Sequence, residues 1–211
     1  EELFEAAELL GPVAGRQVGL KTGRAEQFGS FEQLFAAYRR QLNHLIDVKI
    51  RGNNIIERLY ATQMPAPFLS ILIDDCIARG RDYHDGGARY NTNYIQGVGI
   101  GTITDSLTAI RHHVFDRQTI SMQELLAALR TDFEGHEALR QTLLLRTPKY
   151  GNDDEYADDV MRSAFEAYFD AVDNRPNMRG GRYRINLLPT TVHVYFGSVM
   201  GATPDGRKAG M

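Results

Sequence analysis

The sequence predicts an α/β chain that is mostly helical, with at least one strand late in the chain. Helical periodicity of apolar residues recurs along the chain, and most helical stretches carry a start or stop residue. Polar and apolar residues alternate at 191–196, where Thr191, His193 and Tyr195 interleave with Val192, Val194 and Phe196. Helices and strands do not alternate regularly, which argues against an independent βαβ domain.

Taken in order, "ELFEAAELL" reads as a short apolar helix, followed by a loop with Gly11, Pro12, Gly15, Gly19 and Gly23. Ser30 and Gln33 form a capping box, and Phe31, Leu34, Phe35, Tyr38, Leu42, Leu45 and Ile46 keep the helical rhythm past Gly52 towards Tyr60. "PAPFLSILIDDCIARG" reads as a second helix, with proline in its first turn and Gly80 at its end. Its stripe of Leu69, Leu72, Ile73, Cys76 and Ile77 places Cys76 on the buried face.

A glycine-laced connection leads to "TDSLTAIRHHVF", N-capped by Thr104 or Asp105. Ser121 and Glu124 box the start of the next helix, and Pro148 ends "HEALRQTLLLR". The acidic "NDDEYADD" opens a long helix to about Val172, because carboxylates suit the positive end of a helix dipole. The alternating segment and a turn at Pro204-Asp205-Gly206 close the chain. A strand with one hydrogen-bonding face fits a solvated edge or the wall of a polar cavity.

Composition narrows the function classes. With 43% apolar and 24% charged residues the chain suits a well-cored globular protein, and its net charge of −3 gives no electrostatic footprint for nucleic acid or an anionic membrane. No leader or membrane-length apolar run is evident, and one cysteine makes no internal disulfide, so a reducing cytoplasm is the expected location.

Most isolated motifs read as structural. "GVGIGT" precedes a helix but lacks a hydrophobic strand before it and a Gly-Lys-Ser/Thr, so close backbone packing explains it better than a phosphate loop. Adjacent His112 and His113 diverge by about 100° on a helix and cannot chelate one metal, and His44, His84, His136 and His193 lack ligand spacing. The acidic run at 153–159 lacks the mid-loop glycine of an EF-hand. Cys76, beside Asp74 and Asp75, has no group to stabilise a thiolate and is expected to be a buried small hydrophobe.

"GGARYN" and "PKYGND" mix glycine with polar residues in a way that neither a helix nor a plain loop demands. With "PAPFLSILIDDCI", "GVGIGTITDSLTAI", "HVYFG" and "GATPDGR", they form an ordered set that resembles the glycyl radical enzymes. This is the superfamily of pyruvate formate-lyase and the related diol, choline and hydroxyproline lyases. The likeness runs from about Gly15 to Gly210.

The resemblance implies a ten-stranded α/β barrel enclosing a dry cavity, of which residues 1–211 would be an internal segment. The catalytic cysteine loop of Gly-Cys-Val-Glu type and the radical glycine loop of Arg-Val-x-Gly-Tyr type are not in this sequence. No catalytic residue is therefore assigned to this chain, and Cys76 is not the thiyl cysteine. The alternating segment would be inner barrel wall, with Thr191, His193 and Tyr195 towards the substrate cavity.

The implied reaction is radical cleavage of a C–O, C–N or C–C bond in a small polar metabolite, of the dehydratase or lyase type. A pyruvate formate-lyase-type acyltransferase (formate acetyltransferase) and a non-catalytic scaffold completing a partner chain are the alternatives. This chain would bind no cofactor itself. The glycyl radical would lie elsewhere in the full-length enzyme, installed by an S-adenosylmethionine/iron–sulfur activase. The implied partners are the rest of the enzyme chain, that activating enzyme, the substrate and a second copy in a homodimer.

Overall fold

The computed structural model describes residues 19–188 and 191–211. The helix expected at "ELFEAAELL" and the loop residues Gly11, Pro12 and Gly15 lie outside the described residues. The chain divides into two compact units. The first contains residues up to Leu42, Val98–Ala167 and Leu188–Met211, and the second contains Asn43–Gly97 and Tyr168–Leu187.

Helix α1 (Phe31–Gln63) starts in the first unit, where the Gln33 amide donates to Ser30 Oγ and Gln33 Oε1 accepts the Gly29 N–H. Helices α2 (Pro67–Ser70) and α3 (Cys76–Arg79) follow, both in the second unit. Strand β1 (Asn93–Gln96) leads to α4 (Ile100–Ala109), which widens into a π-helical stretch at Ile110–Asp116. Helices α5 (Met122–Arg130), α6 (Glu137–Arg146) and α7 (Glu155–Val172) come next, then strand β2 (Tyr183–Asn186) and helix α8 (Val192–Val199).

The core of the first unit is built from Leu34, Leu107, Ile110, Leu125, Phe133 and Leu143, with smaller residues between them. Each lies in a segment that the sequence reads as helical, where one face must be withdrawn from water. The Ser121–Glu124 box forms as predicted, each residue satisfying the other's amide. Helix α4, by contrast, starts four residues before Thr104, after Gly99 in a left-handed conformation (φ 85°). Thr104 is fully buried inside the helix and caps nothing, so the expected cap at Thr104 or Asp105 is corrected.

The second unit holds the two described strands, which pair in parallel with Asn93 opposite Tyr183 and Gln96 opposite Asn186. Neither strand was legible: each has four residues, too few for a period-two signal, and "YNTNYIQ" lacks a hydrophobic run. The Tyr168 hydroxyl donates to the Ile95 carbonyl at 2.5 Å, which fastens the pair from α7.

The single helix read from "PAPFLSILIDDCIARG" is broken at Ile71–Asp75. Two side chains account for the break. Ser70 Oγ donates to Asp82 Oδ2 at 2.7 Å and accepts the Tyr83 amide, and Asp75 takes a left-handed φ of 73° while holding Arg89 through both carboxylate oxygens. The break puts the two halves out of phase. Cys76 is buried as expected, but Leu72 and Ile77 of the same stripe are 79% and 72% exposed.

The late inner-wall strand is also corrected, because residues 192–199 form α8. A strand leaves its N–H and C=O groups unpaired unless a neighbour accepts them, whereas a helix satisfies them internally. Among the described residues β1 and β2 pair only with each other, and no strand lies beside α8.

Candidate functional site

Helical geometry redistributes the residues that alternation had sorted. Thr191 and Tyr195 lie one turn apart on a common face, while His193 lies about 200° around the axis from each. All three are exposed, and so are Val192, Val194 and Phe196, which a strand would have put on its opposite face.

Behind α8 the structure gathers three stretches that the sequence had singled out separately. In "GATPDGR", the Gly206 amide donates to the Thr203 carbonyl at 3.0 Å, and Gly206 has a φ of 94°. A side chain there would meet Leu144 Cγ at 2.8 Å, so glycine is needed for space as well as conformation. Arg140 Nε donates to the Gly206 carbonyl at 2.9 Å, and Lys149 Nζ donates to the Asp205 carbonyl at 3.2 Å.

Lys149 belongs to "PKYGND", and its neighbour Tyr150 donates its amide to Asp105 Oδ1, in "DSLTAI", at 2.9 Å. Burial pushes the Asp105 carboxyl above its ordinary range, against the Tyr150 amide and Lys149, while Asp205 pushes in the same direction as burial. The arrangement fixes a turn. It contains no paired nucleophile and base.

Arg207 completes this corner. Its Nη2 donates to the Gly197 carbonyl at 2.6 Å and also to the Met211 carbonyl, and its Nη1 donates to Gly201 at 2.9 Å. The sequence reading assigned Arg207 no role; an arginine behind a tight glycine turn was the available signal.

A buried histidine was also missed as a structural element. The His113 ring lies 3.1 Å from Thr119 Oγ1 through Nδ1 and 3.1 Å from Thr147 Oγ1 through Nε2. Burial, His112 and Lys149 lower its pKa to about 4. His112 stacks edge-on against it, with ring centroids 4.8 Å apart.

In the second unit, "GGARYN" and "NMRGG" form a polar clasp. Asn177 Nδ2 donates to the Asn91 carbonyl at 2.5 Å and to Asn93 Oδ1 at 2.8 Å, and Arg179 Nη2 reaches the same Asn93 oxygen at 2.7 Å. Arg179 pairs with Glu57 at 3.2 Å, each side chain only 14% exposed. Gly97 of "GVGIGT" lies against the Leu187 and Tyr168 side chains, where a Cβ would approach within 2.9 Å, while Gly99 and Gly101 have nothing within 4 Å, so the backbone-against-backbone packing expected of that motif is corrected.

Cys76 is a free cysteine and is 2% exposed. In the complete protein, Cys76→Ala should leave turnover within about twofold and cost about 1 kcal/mol of stability. A thiol reagent should label the native chain far more slowly than the denatured one; rapid native labelling would overturn the assignment. Among the described residues, no group of three His, Cys, Asp or Glu could hold a metal ion, and no helix is long and apolar enough to cross a membrane.

This corner and clasp are built from the stretches that carried the family resemblance, and comparison with known proteins agrees. The chain belongs to the pyruvate formate lyase-like family, whose description matches residues 9–197, and its relatives are glycyl radical dehydratases and lyases.

It is 54% identical to trans-4-hydroxy-L-proline dehydratase of Clostridioides difficile over 93% of this chain and 25% of that protein. The crystal structure of that dehydratase with trans-4-hydroxy-L-proline bound matches 98% of this chain and 26% of its own, at a TM-score of 0.92. The glycerol-bound B12-independent glycerol dehydratase of Clostridium butyricum matches at a TM-score of 0.91 and 38% identity, over 99% of this chain and 27% of that one. A glycyl radical enzyme of Archaeoglobus fulgidus matches at 0.85 and 35%, over 99% and 27%. The chain thus spans about a quarter of the length of the relatives it matches.

Proposed function

We propose that this chain is an internal segment of a glycyl radical dehydratase acting on a small hydroxylated amino acid, trans-4-hydroxy-L-proline being the first substrate to test. One observation carries the reading: identity to the hydroxyproline dehydratase is 54%, against 34% for the sulfopropanediol dehydratase of Klebsiella oxytoca over a similar span. The relatives are dehydratases and lyases, isethionate sulfite-lyases at 35% identity among them, which favours radical elimination over acyl transfer.

The radical chemistry would come from loops beyond this sequence, which carries neither the cysteine nor the glycine motif. What these residues contribute is a rigid frame. The clasp around Asn177 and the turn around Gly206 tie side chains to main-chain carbonyls, and a fixed frame keeps a substrate oriented and water out. Thr191, His193 and Tyr195 stand as candidates for the cavity side of α8. Thr191 and Tyr195, sharing a face, are the pair one wall could present together.

The test is the complete protein, prepared without oxygen and loaded by its S-adenosylmethionine-dependent activating enzyme. Mass spectrometry should show trans-4-hydroxy-L-proline converted to a product lighter by one water, with glycerol, isethionate and pyruvate plus coenzyme A as the other arms. Tyr195→Phe should lower turnover by about tenfold or more with the melting temperature unchanged, the loss expected for one substrate hydrogen bond. Formate and acetyl-coenzyme A from the pyruvate arm would overturn the dehydratase reading. A radical-loaded protein inert on every arm would favour a scaffold.

A further inference from the structure

Helix α8 is unlike the helices around it because none of its side chains is buried. Its largest residues, Tyr195 and Phe196, are 63% and 43% exposed. An eight-residue helix is marginal in water on its own, and among the described residues no buried side chain of its own holds it. The described contacts supply one holder, the Arg207 guanidinium.

Nη2 donates to the carbonyl of Gly197 in the last turn of α8, and Nη1 donates to that of Gly201 just beyond it. Carbonyls at a helix C-terminus lack intrahelical partners and form the negative end of its dipole, so a cation there satisfies both. The planar fork engages carbonyls four residues apart, which a single ammonium cannot do with the same geometry.

The anchor is itself anchored. Pro204 and Gly206 are buried, and the turn that carries Arg207 is held by Arg140 and Lys149. Asp132 Oδ1 accepts the Ala209 amide at 2.7 Å on the far side. Residue 197 must also be small, since a Cβ there would lie 3.5 Å from Arg207 Nη2 and 2.5 Å from the Met211 carbonyl.

We propose that Arg207 is a positioning residue. It transmits the rigidity of the Thr203–Lys208 turn to α8 and thereby sets where Thr191 and Tyr195 stand. The inference rests on the reading that α8 faces the substrate.

The experiment uses the complete enzyme carrying Arg207→Lys, with Gly197→Ala as an independent way to open the latch while keeping the arginine. Both variants should speed amide hydrogen exchange across residues 192–199 by about tenfold or more. Each should lower kcat by a similar factor while the glycyl radical signal stays at its wild-type value, and Arg207→Lys should leave the melting temperature unchanged. Arg207→Gly should regain part of its turnover in millimolar guanidinium.

Unchanged exchange at 192–199 in both variants would overturn the latch, whatever happens to activity. Faster exchange with full turnover would show that α8 does not position substrate and would overturn the role. A fall in melting temperature and radical signal that accounts for the lost turnover would make Arg207 merely structural. If the wild-type enzyme dehydrates none of the compounds offered, the proposed function fails, and exchange still decides the latch.

Discussion

Gly181→Ala should destabilise the chain by more than about 3 kcal/mol, as a backbone-against-backbone overlap with no free space does. A Cβ at residue 181 would lie 1.9 Å from the Asn91 carbonyl oxygen and 2.6 Å from its carbon. Rotating a flexible side chain cannot relieve this, because the obstacle is main chain. The surrounding bonds would also fail together. Gly181 donates its amide to Asn177 Oδ1 at 2.7 Å and accepts the Asn177 amide at 3.1 Å, while Asn177 Nδ2 holds Asn91 at 2.5 Å.

The control is Gly52→Ala in the interior of α1, where a Cβ meets nothing within 4 Å. Alanine is the better helix former, so that change should stabilise by up to about 1 kcal/mol. Paired denaturant titrations read both signs. A Gly181→Ala midpoint at the wild-type value would mean that the clasp does not hold the fold.

Stability should fall as pH drops from 6.5 towards 4, by up to about 3 kcal/mol, with His113 responsible. Thr147 donates its hydroxyl hydrogen to the Leu143 carbonyl at 2.7 Å, so its oxygen accepts from His113 Nε2–H. The Nδ1 lone pair then accepts from Thr119 Oγ1. This network fits a neutral ring, and burial, His112 and Lys149 all oppose a second proton.

The folded pKa, about 4, lies below the unfolded value of 6.5, so the unfolded chain binds the proton first as pH falls. The contribution is therefore complete above 6.5, declines between the two values and is lost below about 4. Denaturation at pH 7, 5.5 and 4.5 should show that slope, and His113→Gln should flatten it. An unchanged slope in the variant would assign the acid sensitivity to other groups.

The sequence was most legible where one side chain decides local geometry. Ser121 with Glu124 announced the start of α5, and the carboxylates before Tyr156 announced α7. It misled where alternation was taken as commitment to a strand. Val192–Val199 has β-branched and aromatic residues in strand order, yet forms a helix where no described strand offers its edge. The same residues therefore present different faces, and the candidate trio of Thr191, His193 and Tyr195 splits.

What the sequence determined by itself was the family, the helical majority and the absence from this stretch of the cysteine and glycine loops, because ordered motifs and caps are local statements. Only the tertiary structure decided which motifs meet. Asp105, Lys149 and Asp205 come together across a hundred residues of chain, and Asn91 meets Gly181 at a carbonyl that leaves no room for a side chain. The β1–β2 pairing and the Arg207 hold on α8 are of the same kind. Each depends on backbone groups whose partners are distant in sequence, and a carbonyl carries no residue name by which a sequence could announce it.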